Sequence, residues 1–280
     1  MGYNRGMIRT DLHTHSAFSA DGISPLADMV SAARRKNLLF YGVSEHFDFD
    51  YRFEGILAEG KEVPMTDAAA YFDAARLLQR ENSDAFTLLV GAEFGYSPDR
   101  RARDACRDVI ARFRPDFIVN SVHTCDGKDC YFAEYFAGKP RETAYERYLL
   151  RVKESLDAPY AYDVVGHLGY VSRNAPYEHP ALHYREFPAL LDDILLTVIR
   201  KEKILEVNTS VSRLDAPFLP DESILRRYRA LGGKKISFAS DAHGVSRIAD
   251  GRTKTCRLLR EMGFDCITVP TPQGERKVSL

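Results

Sequence analysis

The 280-residue chain has no tryptophan, no excess of either charge and no long apolar run. Its longest apolar stretches, such as residues 86–92, fall well short of the ~20 residues that a membrane-spanning helix needs, so no membrane partner is expected. Thirty-nine Lys and Arg against 40 Asp and Glu leave a formal charge of −1, without the basic excess of a protein that wraps nucleic acid. Cysteines stand at 106, 125, 130, 256 and 266, odd in number and scattered in spacing, which argues against a disulfide framework. Residues 1–10 are polar and carry no apolar core of a signal peptide. A reduced, cytoplasmic setting is expected. Oligomeric state is not legible, because the Tyr and Phe residues mark no exposed interface patch.

What is present is ordinary globular composition, 45% hydrophobic and 28% charged, long enough to bury a large core without staples. With no linker, repeat or low-complexity tract, one domain over 1–280 is expected. Short apolar runs cover residues 8–12, 40–44, 87–92, 117–121, 163–166, 204–208 and 236–240. They are too short for good helices and rich in Val, Ile, Leu and Phe, so they predict buried strands, with 264–269 as one more. Between them, Ser24 and Pro25 read as the cap and first position of a helix, and Thr66 as the cap of another over 66–81. Further helices are predicted over 99–113, 141–157, 186–202, 220–231 and 246–262. The alternation implies right-handed βαβ units on a parallel sheet. Seven or eight units with no boundary predict an α/β barrel, closed or nearly so; an open doubly wound sheet is the rival.

Six of the eight histidines fall at or just past the end of a predicted strand: His13, His15, His46, His123, His167 and His243. The third strand ends in Glu93, and Asp241 stands beside His243. Strand ends of one polarity share one face in such folds, and that face carries active sites. His13 and His15, two apart on an extended segment, point the same way. A single histidine there would be an ordinary structural residue, but six at strand ends of one polarity predict a metal site. With Glu93, Asp241 and Asp21 they outnumber the ligands of one Zn²⁺, Mn²⁺ or Fe²⁺ ion, which predicts two or three ions sharing bridging carboxylates.

Other chemistries fit less well. Residues 91–95 are not a dinucleotide-binding glycine turn, and neither a Walker A sequence nor a Gly-x-Ser-x-Gly elbow occurs. Cys125 reads as an incidental loop thiol, and His179 and His183 as members of a solvated loop.

The segment Asp-Leu-His-Thr-His-Ser-Ala-Phe-Ser-Ala-Asp-Gly at 11–22 resembles the opening motif of the PHP (polymerase and histidinol phosphatase) superfamily. Glu45-His46, Glu93, His123, Gly166-His167 and Ser240-Asp241-Ala242-His243 match its later motifs in order. Within the superfamily, segments 44–51, 120–127 and 166–173 look most like the stand-alone histidinol-phosphate phosphatases of histidine biosynthesis. The resemblance implies a distorted (βα)7 TIM-like barrel holding three divalent ions, Zn, Mn or Fe, at the C-terminal ends of the strands. It assigns His13, His15, Glu93 and Asp241 to the first ion and has Glu93 bridge to a second on His123 and His167. A third would take Asp21, His46 and His243; position 21 is His in some relatives, which leaves metal identity and occupancy there open. Asp11 is expected to orient a histidine through a hydrogen bond.

The implied reaction is hydrolysis of a small phosphate ester, L-histidinol phosphate foremost, by metal-activated water, with Glu93, Asp241 and His243 at the catalytic centre. Arg173 and Arg213 follow the fifth and sixth strands and are candidates for phosphate contact. Asp48 and Asp50, with Phe47 and Tyr51, are candidates for a cationic head group. Nucleotides, other phosphate esters or nucleic-acid ends are the alternative substrates, and a non-catalytic metal- or metabolite-binding barrel is the alternative class.

Overall fold

The computed structural model describes residues 6–82, 86–211, 214 and 216–280. Seven parallel strands form its centre: β1 (Thr10–Asp11), β2 (Phe40–Phe47), β3 (Thr87–Gly95), β4 (Ile118–Ser121), β5 (Val164–Val165), β6 (Ile204–Asn208) and β7 (Ile236–Ala239). They pair in chain order from β1 to β7. The outer strands then meet: Leu12 N donates to the Phe238 carbonyl at 3.1 Å, Asp241 N to His13 at 2.9 Å and His15 N to Ala242 at 2.8 Å. The chain is therefore an α/β fold with a nearly closed seven-stranded barrel, and the open doubly wound alternative is set aside.

Each predicted strand is found. Residues 264–269 form Cys266–Val269, which pairs antiparallel with Arg276–Ser279 as a hairpin outside the barrel. A helix follows each of the seven strands: in chain order Leu26–Arg35, Ala68–Glu81, Arg100–Phe113, Arg141–Ser155, Pro188–Arg200, Glu222–Ala230 and Arg252–Glu261. Two predicted caps differ. Asp67, not Thr66, accepts from the helix at Ala70 N, while the Thr66 hydroxyl donates to the His46 carbonyl at 2.7 Å. Ser24 accepts from Val245 N instead of capping its own helix. Both residues tie a loop to the rim, which outcompetes a local cap.

The barrel interior explains two glycines. Phe117, 1% exposed, lies under β2 and β3 where Gly42 and Gly91 stand. A Cβ on Gly91 would come within 2.4 Å of the Phe117 ring, and one on Gly42 within 2.7 Å. Close-packed interiors do not absorb such an overlap without shifting a strand. Gly91→Ala is expected to lower stability by about 1–3 kcal/mol, read as a lower urea midpoint; an unchanged midpoint would contradict this packing.

Candidate metal centre

The site lies where the C-terminal ends of the strands converge. Strand pairing sets His46 beside Glu93, and Glu93 beside Val119 of β4. Barrel closure brings His13 and His15 against Asp241. Asp241 has φ of 51°. That left-handed conformation is one that Asp tolerates better than most side chains, and it turns the chain sharply just past β7. His167 follows Gly166, where a Cβ would lie 2.1 Å from Ser121 Oγ. The same hydroxyl donates to Glu93 Oε1 at 2.6 Å, so a larger residue at 166 would displace the carboxylate's support.

Glu93 has no exposed surface and stands at the middle. Its Oε2 lies 3.2 Å from His13 Nε2, 3.5 Å from His15 Nε2 and 2.9 Å from His46 Nδ1. Its Oε1 lies 3.2 Å from His123 Nε2 and 3.0 Å from His167 Nε2. Asp241 Oδ1 is 3.4 Å from His15 Nε2, and its Oδ2 takes the Arg173 guanidinium at 2.7 Å. Toward the mouth, Asp21 Oδ2 lies 3.0 Å from His243 Nε2 and Oδ1 3.8 Å from His46 Nε2. All nine residues proposed as ligands from the sequence thus meet in one cage.

The donor set suits cations. Among the described residues five groups of three, including His13–His15–Glu93, Glu93–His123–His167 and His15–His46–His243, place a ligand atom from each residue within 4.8 Å of the others. His13 Nε2, His15 Nε2, His46 Nδ1, His243 Nε2 and Glu93 Oε2 are buried with no hydrogen-bond partner among the described residues. Orphaned buried nitrogens facing a carboxylate are costly unless an ion satisfies them.

Supporting contacts fix the ring orientations. His13 Nδ1 faces Glu206 Oε1 at 2.6 Å, which leaves Nε2 turned to Glu93. The other Glu206 oxygen accepts from His167 N at 2.8 Å and Asn208 Nδ2 at 2.9 Å. Carboxylate support of this kind sets tautomer and basicity of a ligating histidine. Glu206 was assigned no role from sequence, although a charged residue inside a buried strand was the available signal. Asp11 corrects the reverse way: it accepts from Ser240 N at 2.9 Å, Ser240 Oγ at 2.6 Å and Ala249 N at 2.7 Å. It therefore holds the chain just before Asp241 and orients no histidine.

Asp48 faces both His123 Nδ1 at 3.0 Å and His46 Nδ1 at 3.3 Å. Asp50 is fully buried, accepts from Thr124 Oγ1 at 2.5 Å, and does not line the cavity; Phe47 packs into the core. Of that expected head-group set, Asp48 and Tyr51 do line it. Arg173 lines the cavity, and its Nε is buried without a partner among the described residues. Arg213 lies outside the described residues. Burial pushes the Cys125 thiol up, which disfavours a nucleophilic thiolate. His183 pairs with Asp221 at 3.2 Å, away from the cage. The cavity above the cage holds about 590 Å³, walled further by residues Lys61–Met65 and by Asp129, Tyr131, Phe132 and Tyr170.

Electrostatics follow from burial and the shared carboxylate. Burial pushes the Glu93 carboxyl up, but His13, His123 and His46 outweigh it and hold it well below the usual range. Burial, aided by His46 and His243, drives His15 well below an ordinary imidazole, so it is neutral at pH 7, as a ligand must be. Burial alone would lower His46 too, yet Asp48, Glu93 and Asp21 raise it to about 10.

This chain belongs to the PHP domain family, whose family model matches residues 11–210. A histidinol-phosphatase of Lactococcus lactis is 30% identical over 92% of this chain and 93% of its own length. The crystal structure of histidinol phosphate phosphatase from Lactococcus lactis, complexed with zinc, L-histidinol and phosphate, superposes with a TM-score of 0.82. It is 27% identical, covering 96% of this chain and 99% of that one. A Listeria monocytogenes structure, 22% identical with a TM-score of 0.75, covers 88% of this chain and 100% of its own and shares the fold.

Two outcomes are expected. Glu206→Gln should weaken divalent-metal affinity by about 10–100-fold, measured by chelator competition; unchanged affinity would remove Glu206 from the site. In chelator-stripped protein, the raised His46 value adds stability that is whole below pH 6.5 and lost as pH climbs toward 10. Its melting temperature should therefore fall between pH 7 and 10, with a flatter profile in His46→Gln; parallel profiles would refute the assignment.

Proposed function

We propose that this chain is a metal-dependent phosphomonoesterase that hydrolyses L-histidinol phosphate to L-histidinol and phosphate, a step of histidine biosynthesis. The observation that carries the reading is the cage of six histidines around Glu93 in a chain of this family. The reading takes 1–280 as one domain, supported by a hydrophobic core that runs from Ile8 to Leu280. It places the reaction in the cytoplasm, in keeping with five free cysteines and a small-molecule substrate. No helix among the described residues is long and apolar enough to cross a membrane.

The ligand assignment keeps His13, His15, Glu93 and Asp241 for one cation, Glu93, His123 and His167 for a second, and Asp21, His46 and His243 for a third. Its support is the division of Glu93, one oxygen to each of two histidine groups, and the approach of Asp21 to His46 and His243. Divalent cations there neutralise the phosphate dianion, polarise its P–O bonds and acidify water.

The chain's own groups do the rest. Arg173 is anchored by Asp241 Oδ2 at 2.7 Å and by Asn208 Oδ1 at 2.8 Å and lines the cavity, so its guanidinium is held rigidly for a phosphate oxygen. Asp241 thereby couples cation and phosphate. His243 Nδ1 lies 3.0 Å from the Asp241 carbonyl, which leaves Nε2 as its single free nitrogen. In this reading that nitrogen serves as a ligand, and the catalytic part of His243 is to hold the cation. Asp48 is read as a support for His123 and His46, which replaces its expected role at the substrate head group.

Phosphate release from L-histidinol phosphate, measured beside nucleotides and sugar phosphates with metal quantified in the same sample, tests this function. Preference for L-histidinol phosphate is expected; a flat or nucleotide-biased profile would overturn the substrate. Glu93→Gln should abolish turnover with the fold intact by circular dichroism, and normal turnover would overturn the shared-carboxylate site.

A further inference from the structure

Asn208 closes β6 with no exposed surface, and its side-chain amide is used at all four of its hydrogen-bonding positions. Nδ2 donates to Glu206 Oε2 at 2.9 Å and to Asp241 Oδ2 at 3.3 Å. Oδ1 accepts from the Arg173 guanidinium at 2.8 Å and from Ser210 N at 2.9 Å. These partners fix which way the amide points: two carboxylates require the nitrogen on one side, and a guanidinium requires the oxygen on the other.

Each partner has a separate duty. Glu206 faces His13 Nδ1 at 2.6 Å and accepts from His167 N at 2.8 Å, so it reaches a histidine on each side of Glu93. Asp241 turns Oδ1 to His15 and gives Oδ2 to Arg173 at 2.7 Å. Arg173 and Ser210 line the cavity. Among the described residues no other side chain bonds Glu206, Asp241 and Arg173 together.

The choice of residue type follows from those charges. A carboxylate at 208 would set a third negative charge against Glu206 and Asp241, and a Lys or Arg would repel the Arg173 guanidinium. An apolar side chain would leave a guanidinium and two carboxylates each short of a partner in the interior. The backbone of Asn208 is held without the amide, since its N and O exchange hydrogen bonds with Leu219 at 2.8 Å each and Thr209 N donates to the Ala239 carbonyl at 2.9 Å.

We propose that Asn208 is a positioning residue that joins the two halves of the site: its amide fixes Arg173 for phosphate and, through Asp241 and Glu206, holds the ligands of the cations in register with it. This rests on the phosphomonoesterase reading above and gives a part to a residue that touches neither cation nor substrate.

The test is a cycle of wild type, Asn208→Ala, Arg173→Ala and the double variant, each checked by circular dichroism. Calorimetry at saturating metal gives the affinity for inorganic phosphate, and chelator competition gives the affinity for Zn²⁺. Asn208→Ala should weaken phosphate binding by about tenfold in the wild-type background but by less than about threefold in the Arg173→Ala background. Equal losses in both backgrounds overturn the proposal, because a residue that only fills space does not act through Arg173. Zn²⁺ affinity should fall by about threefold to tenfold on Asn208→Ala in both backgrounds, since that path runs through Glu206 and Asp241. Unchanged Zn²⁺ affinity also overturns the proposal. Should the Asn208→Ala protein misfold, Asn208→Thr, close in volume, repeats the cycle with the same pattern expected. Neither affinity needs turnover, so the expected pattern upholds the role of Asn208 even if wild type releases no phosphate from any ester, a result that would remove the phosphatase reading alone.

Discussion

Five imidazole nitrogens lie within 3.5 Å of the two oxygens of Glu93, a carboxylate with no exposed surface. Hydrogen bonds within the protein cannot satisfy that crowd, and several of the nitrogens have no partner among the described residues. The arrangement is costly for a bare protein and well suited to cations, which need neutral imidazoles and shared carboxylates at this spacing. Everything else in the site follows from holding Glu93 in place. The Ser121 hydroxyl fixes one oxygen, Gly166 leaves room for that hydroxyl, and β2 and β4 flank the strand that carries it.

Around the cage stand further acids, buried except for the half-buried Asp48, each holding backbone or imidazole. Glu206 orients His13, Asp11 holds the chain before Asp241, and Asp48 faces His123 and His46. Glu45 accepts from the backbone and hydroxyl of both Ser16 and Ser19, pinning the loop that ends at Asp21. Each such carboxylate is desolvated, and its hydrogen bonds offset that cost only when every partner is present. The site is thus built as one polar network whose geometry depends on barrel closure between β1 and β7.

The barrel strands and eight of the nine proposed ligands, all but Asp21, were legible because two periodicities coincide. Short buried runs mark the strands, and histidines or acids recur just past them, so chain position alone puts them on one face. Roles that depend on side-chain direction were not legible. Asp11 and Glu206 both sit in strands beside histidines, and spacing cannot tell which one turns toward a ring. The loop after His46 misled for a different reason: Phe49–Glu54 forms a short helix that buries Asp50 and leaves Tyr51 at the cavity. Thr66 and Ser24 show tertiary contacts overriding good local caps.

The central claim is that Glu93 is shared between cations, one oxygen turned to each side. Anomalous diffraction from crystals of the metal-loaded protein, recorded at the absorption edges of zinc, manganese and iron, tests it most directly. The account predicts peaks on both sides of Glu93, one among His13, His15 and Asp241 and one between His123 and His167. A single peak remote from Glu93, or none in protein that turns over substrate, would contradict it.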